Sequence, residues 1–288
     1  MTARMVLDQL VAGLVSGMIL LIIALGLSLT FGVLRIVNFA HGALYMIGAY
    51  ITWSTIARLG IPFWGATILS VACLAALGAL IELILLRRIY RAELMMQLLL
   101  TFGFVYILTD ASKFIWGLEY HSVSVPRLLS GTVSFAGASV PAYSVFMILM
   151  GLAVVLGLWL VLHRTRFGLY VRALTVNREM TSALGINVRL VSTMVFALGI
   201  GLAGLGGALG APIIAVAPGI ELIIVDCFIV VVIGGMGSIG GTLVASLIIG
   251  VVSSFGICII PQQALVIPYA LMALILLVRP WGLFGRPE

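Results

Sequence analysis

The chain has 288 residues, of which 63% are hydrophobic and only 8% are charged, and its mean hydropathy is +1.32. These values exclude the soluble globular classes and indicate an integral membrane protein. The net charge is +6, but the 15 basic residues include a single lysine and lie mostly in two short loops. We interpret them as topology signals, so no nucleic-acid partner is expected.

A transmembrane helix needs about 20 apolar residues, and the chain offers several runs of about that length. Two of the last four runs are short for a full crossing. We therefore predict an all-α polytopic membrane protein, with a single transmembrane domain over residues 1–288 and about eight transmembrane helices, some of them broken. In chain order the runs are 7–34, 39–55, 64–86, 94–116, 143–162, 190–214, 222–233, 243–260 and 265–278.

Two loops contain most of the arginines. The first follows the third run and carries Arg87, Arg88 and Arg91. The second covers residues 163–189, and because short arginine-rich loops stay in the cytoplasm, both loops are predicted to be cytoplasmic. If the last four runs all cross, the tail with Arg279 and Arg286 is inside. Counting back from Arg87 places the N-terminus outside, whereas Arg4, or a second run that re-enters without crossing, would place it inside. Glu82 is close enough to Arg87 to be drawn to the membrane interface, where we expect a structural role.

Polar residues lie between the first and second runs and at the start of the second, where lipid cannot solvate them. They lie in GLSLTFGVLRIVNFAHGALYMIGAY (26–50), which contains Arg35, Asn38 and His41. A bilayer core offers no water to a guanidinium, an amide or an imidazole, so each must face a helix bundle, a cavity or the interface. Polar groups in such a place indicate transport. His41 is interpreted either as a pathway residue or as a structural hydrogen-bond donor between helices.

Glycine is concentrated in two segments. In GIGLAGLGGALGAP (199–212), small residues at helical spacing predict close helix packing. In IGGMGSIGG (233–241), the glycines are too dense for a stable helix and predict a break that lines a cavity or is buried in protein. Asp226 is expected to cap freed backbone amides or, alternatively, to meet a substrate ammonium group. Together with a predicted break in 38–50, this segment suggests an inverted repeat, a hypothesis that the weak identity between the two halves leaves open.

The second arginine-rich loop has the composition of a short amphipathic helix. Residues 171–184 favour helix, and Gly185 follows them as a C-cap residue would. Such a helix lies on the membrane surface or docks in a groove of a partner protein. Its apolar stripe is too weak for strong membrane anchoring, which favours docking.

Three motifs, in this order, resemble one family over nearly the whole chain. They are GLSLTFGVLRIVNFAHGALYMIGAY, RALTVNREMTSALGINV and VVVIGGMGSIGGTLVASLIIG. The sequence resembles the branched-chain amino-acid permeases of ABC transporters, specifically the shorter H-type subunit of a heterodimeric pore. The resemblance implies a bacterial inner-membrane permease that works with a homologous second permease, two cytoplasmic ATPases and a periplasmic substrate-binding protein. ATP would be hydrolysed by the partners, and this chain, which lacks GxxxxGK[ST], would bind no cofactor.

Carried over residue by residue, the resemblance implies two groups of functional residues. The sequence departs from many relatives at Ala43, where an acidic residue commonly follows His-Gly. The translocation pathway would include Arg35, Asn38, Phe39, His41, Gly42, Tyr45, Asp226, Gly234, Gly235, Gly237 and Ser238. The segment that couples to the ATPases, within the loop 163–189, would include Arg172, Ala173, Asn177, Glu179, Ala183, Leu184, Gly185, Ile186 and Asn187.

Other functions remain open at this point. Within the family, the resemblance admits branched-chain amino acids first, then urea, short amides and small organic acids. An alternative of another class is an ion- or proton-coupled secondary transporter, with Asp110, Asp226 and His41 as coupling groups. An enzyme is not expected, because no nucleophile elbow, catalytic set or metal-ligand spacing is present. The three cysteines, Cys73, Cys227 and Cys258, are expected to be small buried apolar residues.

Overall fold

The computed structural model describes residues 3–90, 92–135 and 138–285, so Arg91 of the first arginine-rich loop and Arg286 of the tail lie outside the described residues. The described chain is a helical bundle, which confirms the predicted all-α class, and it carries one small antiparallel hairpin. The helices are α1 (Ala3–Leu34), α2 (Ala40–Leu59), α3 (Phe63–Ile81), α4 (Arg87–Ile89), α5 (Leu94–Trp116), α6 (Ala142–Arg164), α7 (Arg166–Val176), α8 (Arg178–Ala183), α9 (Val188–Gly210), α10 (Ile223–Gly234), α11 (Ile239–Ile259) and α12 (Ile267–Val278). The hairpin pairs β1 (Thr132–Phe135) with β2 (Ala138–Pro141).

Six of the described helices are long and apolar enough to cross a membrane, which makes the chain a multi-pass membrane protein. They are α1, α5, α6, α9, α11 and the helix formed by α3, a π-helical turn (Glu82–Leu86) and α4. The 20-residue α2 has a suitable length but is less apolar on average than these helices. The remaining apolar helices, α10 and α12, have 12 residues each, which is about 18 Å or roughly half of a bilayer core.

Close packing through small residues holds the bundle around α1. A Cβ on Gly13 of α1 would lie 2.7 Å from the Val251 Cα of α11, so these two helices approach almost to backbone contact. In the same way, a Cβ on Gly48 of α2 would lie 2.8 Å from the Gly204 Cα of α9. The prediction that residues 199–212 serve helix packing is therefore confirmed.

Both arginine-rich loops lie at one end of the bundle. Arg87 donates a hydrogen bond to the hydroxyl of Thr193 at the start of α9 (2.9 Å), and the Arg178 guanidinium lies 4.8 Å from the centre of the Tyr90 ring. The C-terminal end of α1 packs against α7 at this same end, so the start of α1 lies at the opposite end. This arrangement agrees with the prediction that both loops share one side of the membrane.

The cysteines differ from expectation. Cys227 is buried, but Cys258 is half-buried and Cys73 is exposed on α3. The prediction of burial is wrong for Cys73 because an apolar residue in a membrane helix is equally suited to a surface that faces lipid.

Candidate translocation pathway and coupling surface

The segment between α1 and α2, residues 35–39, is not helical. Arg35 has a φ of 56°, a left-handed conformation that is uncommon for residues with a side chain, and it is exposed. Asn38 is only 2% exposed, and its Nδ2 has no hydrogen-bond partner in the part of the chain that the structure describes. The predicted break in 38–50 thus lies at its very start, because residues 40–50 form an unbroken helix whose glycines serve close packing.

The starts of α2 and α10 meet inside the bundle. Gly42 lies so close to α10 that a Cβ would collide with the Glu221 carbonyl oxygen and lie 2.8 Å from the Ile224 Cβ. Beside this contact, the ring centres of Phe39 and Phe228 are 4.6 Å apart. Both helices begin at this place, so the positive ends of their dipoles lie here. We call residues 39–42 and 221–228 the α2–α10 junction.

His41 holds the start of α2 against α1. The residue is fully buried, and its Nε2 lies 3.0 Å from the carbonyl oxygen of Ile23. Ile23 precedes Leu34, the last residue of α1, by about 16 Å along the helix axis, so the junction lies deep within the span. The hydrogen bond is of the interhelical kind that the structural interpretation of His41 predicts. Tyr45, one turn later, is 1% exposed and packs against Gly210 of α9.

Two carboxylates belong to the junction, and they differ in their contacts. Glu221 accepts a hydrogen bond from the Gly219 N–H at 2.6 Å and thereby orders the turn before α10. Asp226 lies in the first turn of α10, is half-buried, and accepts no hydrogen bond from any residue that the structure describes. Capping by Asp226 is therefore wrong, because Glu221 orders this turn instead. Contact between Asp226 and a substrate ammonium group stays a prediction.

The glycine-rich break joins α10 to α11 at the end of the bundle that carries the arginine-rich loops. Gly234 ends α10, and Gly235 and Gly237 follow with φ values of 94° and 84°, a region that favours glycine. Gly237 packs on Gly32 near the end of α1, where a Cβ on Gly237 would lie 3.0 Å from the Gly32 Cα. The second predicted break is therefore present.

Ser238 closes this break by capping α11, since its hydroxyl accepts the Gly241 N–H at 3.1 Å. The break lies about 18 Å, the length of α10, from the α2–α10 junction. The residues predicted to line the pathway thus fall into two groups. One group surrounds the junction, and the other, with Arg35 nearby, lies at the end of the bundle.

The predicted coupling helix is in fact two helices. Asn177 separates α7 from α8 with an extended backbone (φ −153°), and its side chain accepts the Met180 N–H at 2.9 Å. A single helix over residues 171–184 is therefore wrong, because asparagine starts a new helix at this position instead of continuing the first one. Gly185 follows α8 with a φ of 83°, as predicted for a residue that ends a helix.

Apolar side chains point outward from these two helices. Val176, Met180 and Leu184 are 87%, 60% and 74% exposed, respectively, and we call them the coupling surface. Arg172 donates a hydrogen bond to the Leu162 carbonyl and fixes α7 against the end of α6. Among the predicted coupling residues, Ala173 and Ile186 are half-buried, and the exposed ones are Arg172, Asn177, Glu179, Ala183, Leu184, Gly185 and Asn187.

Comparison with known proteins identifies the family. A family model described as the branched-chain amino acid transport system permease component matches residues 9–277. The chain belongs to this family. The high-affinity branched-chain amino acid transport system permease protein BraD of Pseudomonas aeruginosa is 31% identical over 298 residues, covering 98% of this chain and 96% of BraD. The corresponding protein LivH of Salmonella typhimurium is 30% identical over 308 residues, with the same coverage. No solved structure matches.

The permease also contains a buried carboxylate whose position the sequence did not predict. Glu82 is fully buried in the π-helical turn and accepts hydrogen bonds from Tyr90 Oη (2.6 Å), Thr193 Oγ1 (2.5 Å) and Arg87 Nη2 (3.2 Å). The predicted proximity of Glu82 to Arg87 is present as an ion pair, in which the side chain of Arg87, 30% exposed, reaches inward to Glu82. A π-helical turn brings together residues five apart, which helical spacings of three and four do not anticipate.

Proposed function

We propose that this permease forms half of the translocation pathway of a binding-protein-dependent ABC importer for branched-chain amino acids in a bacterial inner membrane. A homologous second permease would complete the pathway, and a periplasmic binding protein would deliver the substrate. Two cytoplasmic ATPases would supply the energy, so that this chain itself binds no cofactor. Full-length similarity to permeases of branched-chain amino acid transport systems is the observation that carries the proposal.

The α2–α10 junction suits an amino acid in three respects. The positive ends of two helix dipoles favour the substrate carboxylate. The unpaired carboxylate of Asp226, one turn into α10, favours the ammonium group. The rings of Phe39 and Phe228 offer an apolar contact for an aliphatic side chain. If Asp226 meets the ammonium group, Asp226→Asn will raise the KM for uptake while the ATPases remain bound.

The coupling surface suits a protein partner. It combines exposed apolar side chains on α7 and α8 with a loop that also contains Arg164, Arg166 and Arg189, which disfavours burial in lipid tails. An ATPase that buries Met180 and Leu184 would move α8 when it closes on ATP. The same movement would reach the pathway through the helices that α8 contacts.

Co-purification from the native membrane tests the partners. The wild-type chain is expected to bring down two ATPases and a second permease. Ala183→Arg and Gly185→Arg place a charge on the docking segment and should lose the ATPases. Leu128→Arg, at a position 91% exposed in the loop between α5 and α6, is the matched control and should retain them. A wild-type chain that comes down alone would contradict the proposal.

Uptake into liposomes tests the substrate and the energy source. Leucine, isoleucine and valine should be taken up only with ATP and with the binding protein present, and urea, acetamide or a small organic acid should not compete. Uptake by the purified chain alone, driven by an ion or proton gradient, would favour the secondary transporter, for which the comparisons offer no support.

A further inference from the structure

Five residues link the coupling helices to the helix that leads into the membrane. Glu82 and Arg87 belong to the continuous helix that contains α3, Tyr90 follows it, Thr193 lies on α9, and Arg178 is the first residue of α8. We call them the Glu82 network. Tyr90, Thr193 and Arg87 all donate to the Glu82 carboxylate, and Arg178 lies over the Tyr90 ring. A fully buried carboxylate is tolerated only when it is paired and hydrogen-bonded in this way.

The outer part of the network belongs to α8, through Arg178. The Arg178 guanidinium lies 4.8 Å from the Tyr90 ring centre, and its Nη2 donates to the hydroxyl of Ser192 on α9 at 3.3 Å. Met180, two residues after Arg178, is exposed on the coupling surface. Burial and the hydrogen bond to Glu82 hold the pKa of Tyr90 far above its usual value, so that its phenol remains a donor. A displacement of α8 therefore acts directly on the ring that holds Glu82.

The inner part of the network reaches the start of α2. The π-helical turn directs Glu82 toward α9, while its neighbours Ile81, Leu85 and Leu86 line a small cavity together with Asn38 and Leu44. Asn38 is the last residue but one before α2, and its Nδ2 has no hydrogen-bond partner among the described residues. The same turn thus bonds to Tyr90, which Arg178 of α8 covers, and lines a cavity together with the break that opens the α2–α10 junction.

We propose that Glu82 is a positioning residue, which transmits the movement of α8 through Tyr90 to the π-helical turn and from there to the start of α2. The inference rests on the proposed function, because it requires ATPases at the coupling surface. It assigns the buried carboxylate a role in energy coupling in addition to stability. Removing the Glu82 carboxylate therefore lowers the amount of substrate transported per ATP hydrolysed, while the ATPases remain bound.

The test compares Glu82→Gln and Tyr90→Phe with matched controls in the complete, reconstituted transporter. Glu82→Gln keeps the shape and removes the charge, and Tyr90→Phe removes only the hydroxyl that donates to Glu82. One control is Glu93→Gln, an exposed glutamate in the loop between α4 and α5. The other is Tyr269→Phe, at a tyrosine that is 47% exposed on α12. Three quantities are measured: ATPases retained on co-purification, ATP hydrolysed in the presence of loaded binding protein, and leucine transported per ATP.

Both variants are expected to retain the ATPases and to lose about tenfold in leucine transported per ATP, the effect of losing one hydrogen bond to a charged group. Both controls should match the wild type. Transport and hydrolysis that fall in proportion to the amount of folded complex would overturn the inference, because Glu82 would then be structural only. Unchanged transport per ATP in Tyr90→Phe would overturn it as well. Failure of the wild-type chain to retain ATPases would instead contradict the proposed function.

Discussion

Replacing Gly42 by alanine tests the contact between the starts of α2 and α10. The added Cβ would lie 2.8 Å from the Ile224 Cβ and 3.2 Å from the Glu221 carbonyl carbon, whereas ordinary contacts begin at 3.4 Å. The Glu221 carbonyl oxygen lies closer still, so the two helices must separate by more than about 0.6 Å, and overpacking of this kind costs roughly 1–3 kcal/mol. Alanine regains up to about 1 kcal/mol through its higher helix propensity. We expect a net loss of about 1–2 kcal/mol in the free energy of unfolding.

Gly157→Ala is the matched control, because a Cβ there meets nothing within 4 Å and the residue is exposed on α6. The melting temperature of each variant is measured in detergent, with size-exclusion chromatography as the monitor of the folded fraction after heating. Each kcal/mol corresponds to roughly 2–4 °C for a chain of this size. Gly42→Ala should melt lower than the wild type, and Gly157→Ala should melt at the same temperature or higher. Equal melting of the two variants would refute the geometry of the junction.

Three further predictions concern single hydrogen bonds. His41→Ala removes the bond to the Ile23 carbonyl and should cost about 1–3 kcal/mol, seen as a lower melting temperature; unchanged melting would contradict this contact. Asn177→Ala removes the cap of α8 at a cost of about 0.5–2 kcal/mol, and faster hydrogen exchange confined to residues 178–183 is expected. Ser238→Ala removes the cap of α11 at a similar cost of about 1 kcal/mol, and exchange should quicken in its first turn; no change there would argue against the cap.

Much of the membrane architecture follows from local sequence. The apolar runs include the six long helices, because each span must be apolar along its length and must pair its own backbone polar groups. Arginine content predicts that the two loops share one end, and the structure brings Arg178 of one loop onto Tyr90 beside the other. Gly185 and the glycines of 199–212 were also predicted correctly, since a left-handed residue and a close helix contact both select for a missing side chain.

Local sequence fails where a competing local interaction or a distant residue decides the outcome. Residues 171–184 have helical composition throughout, but the Asn177 side chain caps α8 and divides the segment. Asp226 has the character of a cap, yet Glu221 orders the turn before α10. The exposure of Cys73 depends on which face of α3 packs inward, and an apolar residue suits both faces.

The sequence by itself determined that the chain resides in a membrane, where its long apolar helices lie, which loops share a side and which family it belongs to. These properties depend on composition and motif, which are local to each segment. Only the tertiary structure decided that α2 meets α10 at Gly42 and that Glu82 contacts Tyr90 and Thr193. The physical reason is that both arrangements are pairwise contacts between residues far apart in the chain, and close packing selects them only when the whole bundle is assembled.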